Sequence, residues 1–271
     1  MGAMLVRSPA VAGQFYPRDP EELRAEIQNY VSPSAELLRA LGCIVPHAGY
    51  VYSGHVAGAV YARLEVPRRC IVLCPNHTGM GTPLSIMSQG EWETPLGNAV
   101  IDSEIAEELK SRLPLLQEDA EAHRREHAAE VQIPFLQARR ASFTFVPIAV
   151  GTGRFEALHL LGEAIGATIA ALKERVLIIA SSDMNHYESD PVTRHKDSRA
   201  IDRVLGLDPR GLYDVVTRED ITMCGYGPAV AMLTAAKHLG ATKAELIKYA
   251  TSGDISGDRT RVVGYAGIVV M

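Results

Sequence analysis

Cys224 stands in ITMCGYGPAV, between an apolar run and a glycine-rich turn that opens a helical pattern. A cysteine placed this way can be a small core hydrophobe, a nucleophile or a metal ligand. Which of these applies depends on what the fold brings to it. Other residues of suitable chemistry follow apolar, strand-like runs: His47 after GCIVP, His77 after IVLCPN, and Asp183 and His186 after VLIIASS. In open α/β sheets, ligands sit beyond the carboxyl ends of the strands, where the loops converge on a crevice. A lone histidine at a strand end is usually a satisfied structural group. Histidines at the ends of three such runs are better explained by a site.

His47 and His77 are the better ligand pair, because each lies just past a strand and a rigid proline, Pro46 or Pro75. Neutral imidazole suits zinc, copper, iron or nickel. The thiolate of Cys224 would complete a three-residue set with positions open to water or substrate. Asp183 and His186 are three residues apart and suit a supporting role around a ligand or an acid–base pair. The competing role for Asp183, with Ser181 and Ser182, is a helix cap. The same residues also allow a metal-independent thiol enzyme, with Cys224 as nucleophile, His186 as base and Asp183 as its orienter.

A second cluster lies in HRREHAAEVQIPFLQ. On a helix, His123 would share a face with His127, and Glu126 with Glu130. The order HExxH is absent. His123, Arg124 and Arg125 read as a solvated face, and His127 and Glu130 remain as pocket candidates. Tyr50, Tyr52 and Ser53 form a tyrosine-rich turn whose rings can pack over the sheet edge. GEWETPLG reads as a hairpin or a lid loop over a pocket, and SGDISGDRT as a polar loop. No dinucleotide fingerprint, phosphate loop or nucleophile elbow occurs.

The elements that must position these residues alternate from end to end. PRDPEELRAEIQNYV predicts a helix with Asp19 as cap and Pro20 in its first turn. SGHVAGAVYARL and SEIAEELKSRL predict helices capped by Ser53 and Ser103. Helices are also expected over RFEALHLLGEAIGATIAALK, PVTRHKDSRAIDRVLG and GPAVAMLTAAKHLG. Strands are expected over GCIVP, RRCIVLCPN, ASFTFVPIAVG, ERVLIIASS, KAELIKYAT and TRVVGYAGIVVM. Alternation with near-continuous Val/Ile/Leu strands implies a three-layer α/β/α fold around a mixed, largely parallel sheet. No repeat or linker divides the chain, so one domain over residues 1–271 is expected. The opening MGAM reads as a cloning remnant.

Hydrophobic residues make up 47% of the 271, enough for a sizeable core, and the formal net charge is -5 without a long block of either sign. That argues against a nucleic-acid or membrane surface. No secretory leader is evident, and no apolar run reaches the roughly 18 residues of a spanning helix. Cys43, Cys70 and Cys74 read as small core hydrophobes. The low cysteine count without CxxC spacing suits a reducing, cytoplasmic setting.

The motifs AVAGQFYP, PHAGYVYSGHVAGAVY, PNHTG, WETPLG, EHAAEVQIPF, SSDMNHY and MCGYGP occur in this order from about Arg7 onward. In that order and context they resemble the Memo family, whose prokaryotic members are also called AmmeMemoRadiSam system protein B. The resemblance implies a fold similar to the LigB-type class III extradiol dioxygenases, non-haem iron(II) enzymes with two histidines and one carboxylate on the metal. Carried over by motif, it implies metal positions at His47, His77 and Cys224, with Asp183 and His186 lining the same vestibule. A thiol then stands where those enzymes have a carboxylate. The implied cofactor is a single metal ion, iron(II), with copper or zinc as alternatives. The vestibule would take a small molecule or, as in an adaptor, a peptide. Grouping of the family with an AMMECR1-like protein and a radical-SAM protein implies those as partners.

Overall fold

The structure, a computed structural model, describes residues 5–31 and 36–271. The MGAM stretch therefore lies outside the described residues. The first half of the chain runs β1 (Val6–Arg7), α1 (Pro20–Tyr30), β2 (Gly42–Val45), α2 (Tyr50–Arg63), β3 (Arg69–Pro75), β4 (Leu84–Ile86), β5 (Glu91–Thr94), β6 (Gly97–Ile101), α3 (Ser103–Arg112) and β7 (Gln117–Glu118). Then follow α4 (Glu121–Arg124), a 3-10 turn at Glu130–Gln132, α5 (Ile133–Arg139), β8 (Thr144–Val150), α6 (Phe155–Leu172), β9 (Val176–Ser181) and β10 (His186–Glu188). The chain continues through α7 (Asp190–Leu205), α8 (Pro209–Arg218), α9 (Tyr226–His238), β11 (Ala244–Thr251), α10 (Gly253–Ser256) and β12 (Val262–Val270).

These strands form one sheet in the order β1-β5-β6-β8-β3-β9-β2-β12-β10, with β11 on β12 and β4 bridging β8 and β7. The run β6-β8-β3-β9-β2 is parallel, and β12 joins β2 antiparallel. Alternate residues of each central strand serve opposite layers. In β3, Ile71 and Leu73 belong to the core shared with α3, α6, α7, α8 and α9, while Cys70, Val72 and Cys74 belong to the core shared with α1, α2 and α5. This is the expected three-layer α/β/α arrangement with a mixed, largely parallel sheet. Cys43, Cys70 and Cys74 are fully buried small hydrophobes within it.

Asp19 caps α1 as expected, its carboxylate accepting from the backbone N–H of Glu21 and Glu22. The other two caps differ from expectation. Asp102, not Ser103, caps α3, accepting from Ile105 N while also pairing with Arg69, so the longer carboxylate bridges helix and strand. Ser53 lies inside α2, which begins at Tyr50, and its hydroxyl turns back to donate to Ala48 O at 2.9 Å. Tyr50 is buried and donates to Val131 O, whereas Tyr52 is 41% exposed. GEWETPLG is the β5–β6 hairpin. None of its residues lines the vestibule described below, so it is not a lid there. SGDISGDRT holds the one-turn α10, tied down by Asp254 to Arg194 and Arg259.

The 18-residue α6 meets the length and composition of a membrane-spanning helix, contrary to the expectation from the sequence. Its inner face is nevertheless packed on α9 and the sheet. Gly162 makes that close approach possible. A Cβ there would lie 2.5 Å from Thr234 Cβ and 2.6 Å from Ala231 O. Gly162→Ala therefore reverses the usual sign of a helix Gly→Ala change, which favours the helix by about 1 kcal/mol. We expect a loss of about 1–3 kcal/mol from overpacking and a Tm lowered by several degrees in thermal denaturation. A raised Tm would contradict this packing.

Candidate metal centre

Because β2, β3 and β9 run parallel, their carboxyl ends reach the same edge of the sheet. His47, His77 and Asp183 are thus carried to one place by three strands. β12 runs the other way, so its first residues, Val263 and Tyr265, meet them there. Cys224 arrives on the loop between α8 and α9. Gly225 lets that loop close on the end of β9, since a Cβ would lie 2.4 Å from Ser181 O, and its N–H donates to Ser182 Oγ at 3.0 Å. The result is a cavity of about 600 Å³ whose lining includes His47, His77, His127, Asp183, His186 and Cys224, with Phe15, Tyr187 and Tyr265 as aromatic walls. A smaller cavity of about 260 Å³ reaches His77 and Cys224 from the side of α9.

One ligand-capable atom from each of His47, His77 and Cys224 lies within 4.8 Å of the others. Cys224 Sγ is 3.2 Å from His47 Nε2, and His47 Nδ1 is 3.0 Å from Ser181 Oγ. Burial, with the neighbouring imidazoles of His127, His77 and His186, holds His47 well below the usual imidazole pKa, so the ring is neutral. His77 Nδ1 lies 2.9 Å from Glu126 Oε1, and its backbone N–H donates to Oε2 at 2.6 Å. A carboxylate only accepts, so the His77 proton sits on Nδ1 and Nε2 keeps its lone pair. Burial alone would lower the His77 pKa, but the bond and charge of Glu126 outweigh it and the net shift is upward. Burial and then the Asp183 charge push the Cys224 thiol up.

His77, Glu126 and His127 form a second cluster within the same 4.8 Å limit. It is a poor ligand set, because the Glu126 oxygens already accept from His77 N, His77 Nδ1 and Ala128 N. Glu126 is better described as the group that orients His77. His127 stacks on His77 at 4.8 Å between ring centroids and meets His47 edge-on at 5.5 Å.

Asp183 is not a helix cap. No helix starts until α7, and its Oδ1 accepts the backbone N–H of His47 at 2.7 Å. Burial raises its carboxyl to about 6. Nor does it orient His186, whose Nδ1 meets Thr222 O at 2.8 Å and whose N–H donates to Thr222 Oγ1 at 2.7 Å. Thr222 in turn donates from N and Oγ1 to Asn185 Oδ1, and Asn185 N donates to Asp197 Oδ1. The imidazole in contact with the Cys224 sulfur is His47, not His186. A bulge lies between His186 and Glu188, with Tyr187 at φ 63°, and of these residues His186 and Tyr187 line the cavity.

The segment around His127 departs most from expectation. It is a broken helix, α4 followed by the 3-10 turn, so His123 and His127 do not share a helical face. His123 is fully buried beside Trp92, neither ring nitrogen makes a well-formed hydrogen bond among the described residues, and burial lowers it to about 4. Arg124 and Arg125 are exposed as expected. His127 lines the cavity, whereas Glu130 is buried away from it and binds Arg7, Ala10 N, Val11 N and Tyr16. Glu126, Gln132, Ser181, Thr222, Phe15 and Tyr265 were not singled out as site residues by sequence. Only Glu126 carried a usable signal, its position directly beside His127.

Asp197 anchors the chain of bonds to His186. Burial raises its carboxyl to about 7 against the hydrogen bonds from Tyr249 and Asn185. An unfolded aspartate titrates near about 3.9, so the folded chain holds this proton more tightly. That contribution to stability is fully present below the unfolded value and is lost as pH rises through the folded one. Asp197→Asn should therefore gain stability relative to the parent as pH rises from about 4 to about 7 in urea unfolding, with no further gain above that. A difference independent of pH would contradict this assignment.

A family model described as Memo-like protein matches residues 7–269. A MEMO1 family protein of Methanothermobacter thermautotrophicus is 42% identical over 274 residues, covering 97% of this chain and 99% of that one. Another from Methanosarcina mazei is 44% identical over 269 residues, covering 98% and 100%. Among solved structures, an uncharacterized protein of Escherichia coli K12 superposes with a TM-score of 0.58 at 15% identity, covering 85% of this chain and all of that one. At that identity the likeness concerns the fold alone. The full-length match to the family model and to its curated relatives places the sequence without ambiguity: this chain belongs to the Memo family.

Proposed function

We propose that the vestibule is a mononuclear metal site held by His47, His77 and Cys224, serving redox or oxygen-dependent chemistry of a non-haem oxidoreductase type. The observation that carries this reading is the convergence of two imidazoles and a thiol within 4.8 Å at the wall of a cavity of about 600 Å³. The donor set fits a metal: His77 presents Nε2 because Glu126 holds its Nδ1 proton. Two nitrogens and one sulfur suit iron(II), copper or zinc, and the resemblance to extradiol enzymes favours iron(II). A metal held there supplies a Lewis-acidic, redox-capable centre with positions open toward the cavity.

The chain's own residues supply the rest. Asp183, whose carboxyl is raised by burial, sits against the His47 loop where it can take part in proton transfer. His186, tied at Nδ1 to Thr222 O, offers Nε2 as an acceptor on the same wall. Phe15, Val263 and Tyr265 give the cavity an apolar wall suited to a small organic ligand, with the exposed Tyr187 at its edge.

The two competing readings fit less well. A thiol nucleophile needs a lowered pKa, and the Cys224 thiol is pushed the other way. Metal coordination would remove that proton. A phosphopeptide adaptor needs arginine or lysine at the phosphate, and neither is among the residues lining the vestibule. The AMMECR1-like and radical-SAM partners, and a cytoplasmic location, belong to the same proposal. Family membership supports the first, and four unpaired cysteines support the second.

Protein purified anaerobically without chelator should carry near-stoichiometric metal by elemental analysis. Cys224→Ser and His77→Ala should each lower that content at least about tenfold. Parental metal content in Cys224→Ser would remove the thiol from the ligand set. A metal-free parent whose Cys224 alkylates rapidly would move the thiol-enzyme reading ahead.

A further inference from the structure

We propose that Ser181 and Gln132 are positioning residues that lock His47 in the tautomer carrying its proton on Nδ1, so that Nε2 is the free donor facing Cys224. A serine hydroxyl has one hydrogen to give and two lone pairs to offer. Ser181 Oγ has three close polar neighbours: Ala128 O at 2.6 Å, Gln132 Nε2 at 2.9 Å and His47 Nδ1 at 3.0 Å. The carbonyl cannot donate, and two oxygens at 2.6 Å need a hydrogen between them. The hydroxyl hydrogen is therefore spent on Ala128 O. The amide of Gln132 takes one lone pair, and the other must accept from His47 Nδ1–H.

The amide orientation is fixed as well. Gln132 Nε2 also donates to Pro46 O at 3.0 Å, while its Oε1 accepts from Tyr61 OH at 3.0 Å. Reversing the amide would set two carbonyl oxygens against each other at Pro46. Tyr61, Gln132 and Ser181 are each 0% exposed, so bulk water does not compete for these bonds. The lock joins the end of β9, the 128–132 segment and the end of β2 at a single hydroxyl. Its purpose rests on the metal reading above, since an imidazole ligates through an unprotonated nitrogen. The tautomer itself can be measured without any metal.

The experiment is long-range ¹H–¹⁵N correlation of chelator-treated protein labelled at histidine, near about pH 7.5, where an ordinary imidazole is mostly neutral. His47→Gln identifies the His47 signals. The parent should show His47 with Nδ1 protonated. Ser181→Ala should move it to the Nε2-protonated form or a mixture, and should weaken zinc binding about 10- to 100-fold. Should Ser181→Ala fail to fold, Ser181→Cys keeps a side chain of similar shape but replaces the hydroxyl with a weakly accepting sulfur, and should give a mixture of tautomers. A merely structural serine would leave the tautomer unchanged. The proposal is overturned by an Nε2-protonated parent, or by variants that keep the parental tautomer. If the tautomer responds as expected but the parent binds no zinc, the lock stands and the metal reading falls.

Discussion

Arg7 and Glu130 pair at 2.7 Å inside the protein, with side chains 5% and 0% exposed. Neither charge is isolated. Arg7 also donates to the carbonyls of His123 and Glu126 and lies 4.1 Å over the Trp92 ring. Glu130 accepts from Ala10 N, Val11 N and Tyr16 OH. Removing one partner of such a pair leaves a buried charge uncompensated, at a cost of about 3–5 kcal/mol. The segment between His123 and Gln132 is too short and too broken to hold a shape by itself, and these bonds give it one. It then supplies Glu126 to His77, His127 to the cavity, and Ala128 O and Gln132 to Ser181.

The sheet provides the other half of the arrangement. Parallel pairing of β2, β3 and β9 brings three strand ends to one edge, and the antiparallel β12 adds Tyr265 from the opposite direction. The side chains that meet there are held by backbone as much as by each other. Asp183 takes the His47 amide, Glu126 takes the His77 amide, and Thr222 takes the His186 amide. Glu126 and Thr222 each fix both the loop and the ring it carries, whereas Asp183 fixes the His47 loop and Ser181 its ring. Little reorganisation is then needed to present the donor atoms, which is how a site gains from being built on rigid elements.

Much of this was legible in the residues, and the boundary of legibility has a physical cause. His47, His77 and Asp183 stand out because each follows a continuous apolar run, and the topology of a parallel sheet does the rest. Asp19 with Pro20 announces α1. Asp208 with Pro209 carries the same signal for α8, which the hydrophobic pattern alone did not separate from its neighbours. Ser53 and Ser103 mislead because a nearby group competes: Ala48 O for the first hydroxyl, and Asp102 for the second cap. The roles of His123 and Glu130 depend on Arg7, more than a hundred residues away in sequence. Gln132 and Ser181 act through bonds that no local pattern encodes.

A mononuclear centre in this vestibule requires one sulfur and two imidazoles to close on a single ion. X-ray absorption of zinc-loaded protein tests it most directly, because zinc is redox-inert and its ligand distances are distinctive. The predicted result is one sulfur near about 2.3 Å with imidazole nitrogens near about 2.0–2.1 Å in the same coordination sphere. A zinc shell of nitrogen and oxygen alone, with no sulfur, would contradict it.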